Sequence, residues 1–264
     1  MDITRIKQIG YFDEIVIRAK INPMYKSEGI ILEDVPLKES MNIFNKSDSN
    51  AVAQLNIGIY GEVHTRLSNE EHEEQEAERD GLNLKQRICG KGKQWQIGYA
   101  NILIIKNKNQ MLDLIDDGRN IEAFQRLAKT EYEIDILTIG LNIASIVSKQ
   151  ITSKKSFESM SIAIIDKIYI EPPFRGKGIN TWLNNNLVDI IKGFGMVNPD
   201  IILLQYGDFT EQSESLFGMN TEEYKKMLYE MYKKLGYKKI SVLMKCMLKS
   251  NCDGILYKII RNEG

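Results

Sequence analysis

Histidine is scarce in this 264-residue chain, with two, and so are cysteine, with three, and proline, with five. Cys89, Cys246 and Cys252 are odd in number, widely spaced and without a CxxC pair. They frame no disulfide scaffold and point to a reducing compartment. His64 and His72 give no zinc-ligand spacing, no HExxH helix and no Ser-His-Asp order, so metal or hydrolase chemistry has little support. No hydrophobic run approaches the ~20 residues of a membrane span. The opening "MDITRIKQIGYFDEIV" carries charges inside its apolar stretch and lacks a cleavable signal pattern. Net charge is −1, from 35 Lys and Arg against 36 Asp and Glu, so no global field favours nucleic acid or an anionic membrane. The expectation is a soluble cytoplasmic protein with no metal, no nucleic-acid partner and no membrane partner.

What is present is an ordinary globular composition, 43% hydrophobic and 27% charged, with enough length for a substantial core. Strands are predicted over 11–22, within 51–67 and over 94–107, from β-branched content and period-2 patterning. Seven carboxylates crowd residues 70–80, a solvated loop or short exposed helix that could also attract a cationic acceptor. From about 110 to 150 apolar residues recur at i, i+3 and i+4, so two or three helices are predicted there. "SMSIAIIDKIYI" (159–170) is a nearly continuous β-branched run, as in a strand buried on both faces, and "IILLQYGDF" (201–209) is a second. A helix over 178–192 lies between them. "TEEYKKMLYEMYKKLGYKKI" (221–240) is an amphipathic helix ending at Gly236, and "ISVLMKCMLK" and "GILYKII" close the chain as two antiparallel strands. The organisation predicted is one α/β domain over 1–264, with an N-terminal elaboration and a helical insertion at about 108–158.

The densest chemistry is in "YIEPPFRGKGINTWL", residues 169–183, where a buried strand gives way to a helix. Helix N-termini carry N–H groups without intrahelical partners and a partial positive charge, and together these attract phosphate. Pro172 and Pro173 cannot donate to a sheet ladder, so the strand loses its partner there. A Walker A loop is ruled out because no glycine precedes a Gly-Lys-Ser/Thr at the required spacing. A dinucleotide fingerprint lacks its third glycine, since Trp182 stands where the pattern would continue. The remaining pattern, Arg-x-x-Gly-x-Gly/Ala, cradles the pyrophosphate of coenzyme A. It matches Arg175 to Asn180 except at the last position.

With "IDKIYIEPPFRGKGIN" followed about 55 residues later by "MYKKLGYKKI", the chain resembles the GNAT superfamily of acyl-CoA-dependent N-acyltransferases, most strongly over 161–240. The resemblance implies a mixed, mostly antiparallel central sheet with helices on both faces and a splayed strand pair forming the acyl-CoA cleft. It implies that backbone groups of Ile168, Tyr169 and Ile170 bind the pantetheine arm. Amides of Arg175, Gly176, Lys177, Gly178, Ile179 and Asn180 would hold the pyrophosphate, with the Arg175 and Lys177 charges supplementing them. Asn180 departs from the usual small residue, which predicts altered affinity.

The activity implied is transfer of an acetyl group from acetyl-CoA to a primary amine of a small molecule or protein, by direct attack. Tyr232 stands where the family places an acid for the leaving thiolate. Asp166, in the strand just upstream of the pantetheine stretch, is the candidate base, with burial expected to raise its pKa. Glu171 and Asp208 are alternatives at the strand ends. A non-catalytic GNAT-like module, acting as an acyl-CoA sensor or interaction protein, is the competing reading.

Overall fold

A computed structural model describes residues 6–9, 12–23, 52–63, 86–89, 92–105, 160–193, 198–206, 221–240 and 254–260. The carboxylate-rich stretch 70–80, the helices expected at about 108–158, the strand expected at 240–249 beyond Ile240, His64, His72, Asp208, Cys246 and Cys252 lie outside the described residues.

The strands are β1 (Ile6–Ile9), β2 (Phe12–Pro23), β3 (Val52–Val63), β4 (Gln86–Cys89), β5 (Gly92–Ile105), β6 (Ile162–Ile170), β7 (Ile201–Gln205), β8 (Lys238–Lys239) and β9 (Ile255–Ile259). Two helices are described, α1 (Ile179–Gly193) and α2 (Thr221–Lys234), with a single 3-10 turn at Pro172–Phe174. The strands form one sheet in the order β1-β2-β3-β5-β6-β7-β9-β8, and β4 pairs with β5 off that path. β1 with β2, β4 with β5, β7 with β9 and β8 with β9 are antiparallel, while β6 and β7 run parallel. A parallel neighbour requires a crossover, and here it contains α1. The mixed, mostly antiparallel α/β sheet expected from the sequence is the one observed. Among the described residues no helix is long and apolar enough to cross a membrane.

Side-chain pattern sets how deeply each strand lies. In β3 the buried residues alternate, with Leu55, Ile57 and Ile59 inside and Gln54, Asn56 and Tyr60 half-buried between them. That is the signature of a sheet with one covered face. In β6 and β7, residues 162–165 and 201–204 are buried without interruption, as strands covered on both faces must be. On α1, Ile179, Leu183, Leu187, Ile190 and Ile191 are buried, a stripe at helical spacing. α2 places Glu222 and Glu223 in its first turn and Lys233 and Lys234 in its last, both favourable to its dipole.

The chain divides into two compact units. The first comprises Met1–Lys20, Asn56–Asn101 and Lys167–Leu183, and the second Ile21–Leu55, Ile102–Asp166 and Asn184–Gly264. The first has a core including Ile15, Ile17, Ile57, Ile59, Trp95, Ile97 and Phe174. Arg18 Nε donates to Gln94 Oε1 at 3.0 Å beside it. In the second, the starts of β6 and β7 are clasped by buried polar groups. The Ser161 amide donates to Asp200 Oδ2 at 3.0 Å, the Ser161 hydroxyl to the Asn198 carbonyl at 2.6 Å, and the Asp200 amide to the Ser161 carbonyl at 2.8 Å. Buried polar groups persist where such partners satisfy them.

Candidate functional site

The carboxyl half of β6 differs from its amino half. After the buried run ends at Ile165, residues 166–169 are half-exposed and Ile170 is buried again. The register on β7 pairs residues 162–165 with 201–204. On the other edge, the Glu171 amide donates to the Ile97 carbonyl of β5 at 2.9 Å. A methyl group on Gly98 would meet the Tyr169 carbonyl oxygen at 2.6 Å, so only glycine lets β5 and β6 approach this closely.

Pro172 and Pro173 open the 3-10 turn that follows. Its bonds run from the Phe174 amide to the Glu171 carbonyl at 2.9 Å and from the Arg175 amide to the Pro172 carbonyl at 3.2 Å. Gly176 and Gly178 come next, with φ of +72° and +83°, a backbone region that side chains strongly disfavour. Nothing lies within 4 Å of where a Cβ would stand on either, and both are exposed together with Lys177. The helix ladder begins with the Trp182 amide on the Gly178 carbonyl at 2.8 Å. The first amides of a helix have no intrahelical partner. The result is a bare backbone surface at the positive end of a 15-residue helix.

Around this loop is a group of aromatic and charged side chains. The rings of Tyr99 and Tyr169 stack with centroids 5.4 Å apart. Lys167 Nζ lies 5.5 Å from the Tyr99 ring and the Arg175 guanidinium 5.3 Å from the Tyr169 ring, within the range of cation–π attraction. The Tyr169 hydroxyl donates to Glu171 Oε2 at 3.2 Å. Burial first and the Glu171 carboxylate second push the Tyr169 hydroxyl above its ordinary pKa, with Arg175 opposing. The Arg175 Nε donates to the Ile170 carbonyl at 2.7 Å, which turns the side chain back toward the strand.

All nine residues expected to bind the coenzyme, from Ile168 to Asn180, fall in the first unit, while Asp166 and Tyr232 belong to the second. Asp166 is half-buried, the first residue beyond the buried run of β6. Tyr232, on α2, is 7% exposed and meets Tyr237 edge-on with centroids 5.6 Å apart. The Tyr237 amide closes the helix end by donating to the Tyr232 carbonyl at 3.1 Å. The Tyr237 hydroxyl, itself buried, donates to Asn184 Oδ1 on α1 at 3.0 Å. Burial, with Tyr232 adding to it, pushes the Tyr237 hydroxyl far above the ordinary tyrosine range.

Sequence reasoning missed Gly98, Tyr99 and Asn184. Asn184 left a trace: it lies three residues before Leu187 and seven before Ile191, a polar residue on an apolar stripe. Gly98 and Tyr99 left none, because they matter only through a strand about 70 residues later.

No protein-family model matches the chain, and no curated protein matches it in sequence. Among solved structures, the chain is similar to Arabidopsis thaliana NAA60 in complex with acetyl-CoA, at 12% identity over 85% of this chain and 86% of that one, with a TM-score of 0.31. It is likewise similar to Arabidopsis thaliana NAA60 in complex with a bisubstrate analogue, at 11% identity over the same shares, with a TM-score of 0.30.

Proposed function

We propose that this chain is an N-acetyltransferase that moves an acetyl group from acetyl-CoA to a primary amine by direct attack. The observation that carries the reading is the loop 175–180, with two positive-φ glycines, open space above them and a long helix starting behind. This is a surface on which an anion can rest against backbone N–H groups. The donor set suits a pyrophosphate, since Gly176 and Gly178 leave room for a close approach and Lys177 is exposed beside them. Acetyl-CoA would supply a thioester whose carbonyl carbon bonds to the amine nitrogen as the carbon–sulfur bond breaks.

The residues divide that work. Backbone groups of Ile168 and Ile170 orient the pantetheine arm, and amides from Gly176 to Asn180 hold the pyrophosphate, because the Tyr169 carbonyl is turned to Gly98 of β5 and the Arg175 amide is bonded to the Pro172 carbonyl. Tyr232 gives a proton to the leaving thiolate, and Asp166, or a water chain, takes the proton released by the amine. Glu171 is committed in part to the Tyr169 hydroxyl, which weakens it as an alternative base.

A thiol-release screen with acetyl-CoA against amines and basic peptides tests the reading. Release with at least one amine, reduced by Tyr232→Phe and by Asp166→Asn, is the expected result. Unchanged release in both variants removes those two roles. Coenzyme A at about 100 times its Kd should also stabilise the fold by ~2.7 kcal/mol. The edge-on packing of buried Tyr232 on Tyr237 is also what a purely structural tyrosine would show, and it favours a second reading as a non-catalytic acyl-CoA-binding module. That reading predicts the stabilisation without thiol release from any amine.

A further inference from the structure

Successive residues of a strand turn their backbone N–H and C=O groups to alternate edges. The Tyr169 carbonyl faces Gly98 on β5, so the groups of Ile168 and Ile170 face the opposite edge. On that edge the Ile170 carbonyl receives the Arg175 Nε at 2.7 Å. The turn between strand and loop is thereby held on both sides, by the Glu171 amide on the Ile97 carbonyl and by the Arg175 side chain on the Ile170 carbonyl. The guanidinium also packs on the Tyr169 ring, which stacks in turn on Tyr99.

From this geometry we infer that Arg175 is a positioning residue, which sets the anion loop in register with the edge of β6, and that its charge is not what holds the phosphate. The inference rests on the coenzyme reading above. It assigns the electrostatic attraction in this loop to Lys177, whose side chain is exposed. A planar guanidinium can bond through Nε and stack at once, which an ammonium cannot do. Charge conservation at position 175 should therefore rescue nothing.

The test is calorimetric binding of coenzyme A at low and high salt. Arg175→Lys and Arg175→Gln should each weaken binding about tenfold, the scale of one charge-assisted hydrogen bond, and keep the wild-type salt dependence. Tyr169→Leu, which removes the ring but no charge, should weaken binding in the same sense. In thermal unfolding its effect should be non-additive with that of Arg175→Lys. Lys177→Gln should instead flatten the salt dependence.

The role is overturned if Arg175→Lys binds like the wild type while Arg175→Gln binds weakly with a flattened salt dependence. It is equally overturned if Tyr169→Leu leaves both affinity and the Arg175→Lys melting shift unaltered. A wild-type chain that binds no coenzyme A at any salt removes the coenzyme reading itself, and this role with it.

Discussion

In β6, residues 162–165 are buried and run parallel to β7, whereas residues 166–169 are half-exposed and lead to a loop whose Gly176, Lys177 and Gly178 are open. The first half is Ile-Ala-Ile-Ile, wholly apolar and preceded by the clasped Ser161. The second is Asp-Lys-Ile-Tyr, in which three of four residues carry a polar group. One strand thus has two environments. Its amino half secures the fold through burial, and its carboxyl half stands half-exposed. Residues up to Asp166 and those from Lys167 onward also fall in different compact units.

The contrast can be broken most forcefully in the buried half. Ile164 is fully buried, so Ile164→Ala should destabilise the protein by about 2–5 kcal/mol. A denaturant midpoint unchanged from the wild type would show that this half carries less of the fold than its burial implies.

A smaller effect is expected at the Tyr237 corner of the second unit. Tyr237→Phe leaves the buried Asn184 Oδ1 without the hydroxyl it accepts from, at about 1–3 kcal/mol. The pH dependence sharpens this. The folded state raises the Tyr237 pKa, so the unfolded chain releases that proton first, near pH ~10. The stabilisation is complete below that pH and is lost as pH rises above it. Lys258, beside the Tyr237 ring, works in the opposite direction, because burial lowers its pKa and the folded state favours its neutral form. Lys258 is present in both proteins, so the wild type should lose stability more steeply than Tyr237→Phe between about pH 9.5 and about pH 11.5. Parallel unfolding curves over that range would contradict the assignment.

In the open half, Gly178→Ala meets no neighbouring atom, so its folding penalty is conformational, about 1–2 kcal/mol. Its effect on coenzyme A binding should be proportionally greater, because the new methyl stands on the bare face of the loop. Calorimetry alongside a melting curve separates the two. An affinity that falls no more than stability does would count against an anion on that face.

Least of all is expected from the exposed pairs of α2, Lys225 with Glu222 at 3.6 Å and Lys233 with Glu230 at 3.7 Å. Glu222→Gln should leave the melting temperature within the scatter of replicates, as exposed ion pairs generally do. A clear drop would mean that surface charge contributes to stability here as packing does.

Much of this arrangement is legible in the residue order. The unbroken apolar runs of β6 and β7, the stripe on α1 and the amphipathic α2 ending near Gly236 all follow from local pattern. The backbone course of the loop 175–180 is legible for the same reason, since strand, prolines, glycines and helix lie within 15 consecutive residues. The desolvated carboxylate expected at Asp166 was harder, because exposure depends on where the covered part of β6 stops. Periodicity shows that a strand is apolar, but it does not show which neighbour ends first. Residue order makes Arg175 a supplement to the loop's charge, and it does not specify the bond of its Nε to the Ile170 carbonyl. A basic side chain next to glycines has many rotamers, and only the finished turn selects one.

By itself, then, the sequence determined the described elements from β6 to α2 and the backbone of the loop between β6 and α1, because helix starts, glycine φ values and apolar periodicity are set by residues a few positions apart. Tertiary structure decided that Gly98 admits the Tyr169 carbonyl, that Tyr99 lies under Tyr169, and that Asn184 holds the Tyr237 hydroxyl. Each of those contacts joins residues more than 50 positions apart. Their pairing depends on strand register and helix packing, which no local pattern encodes.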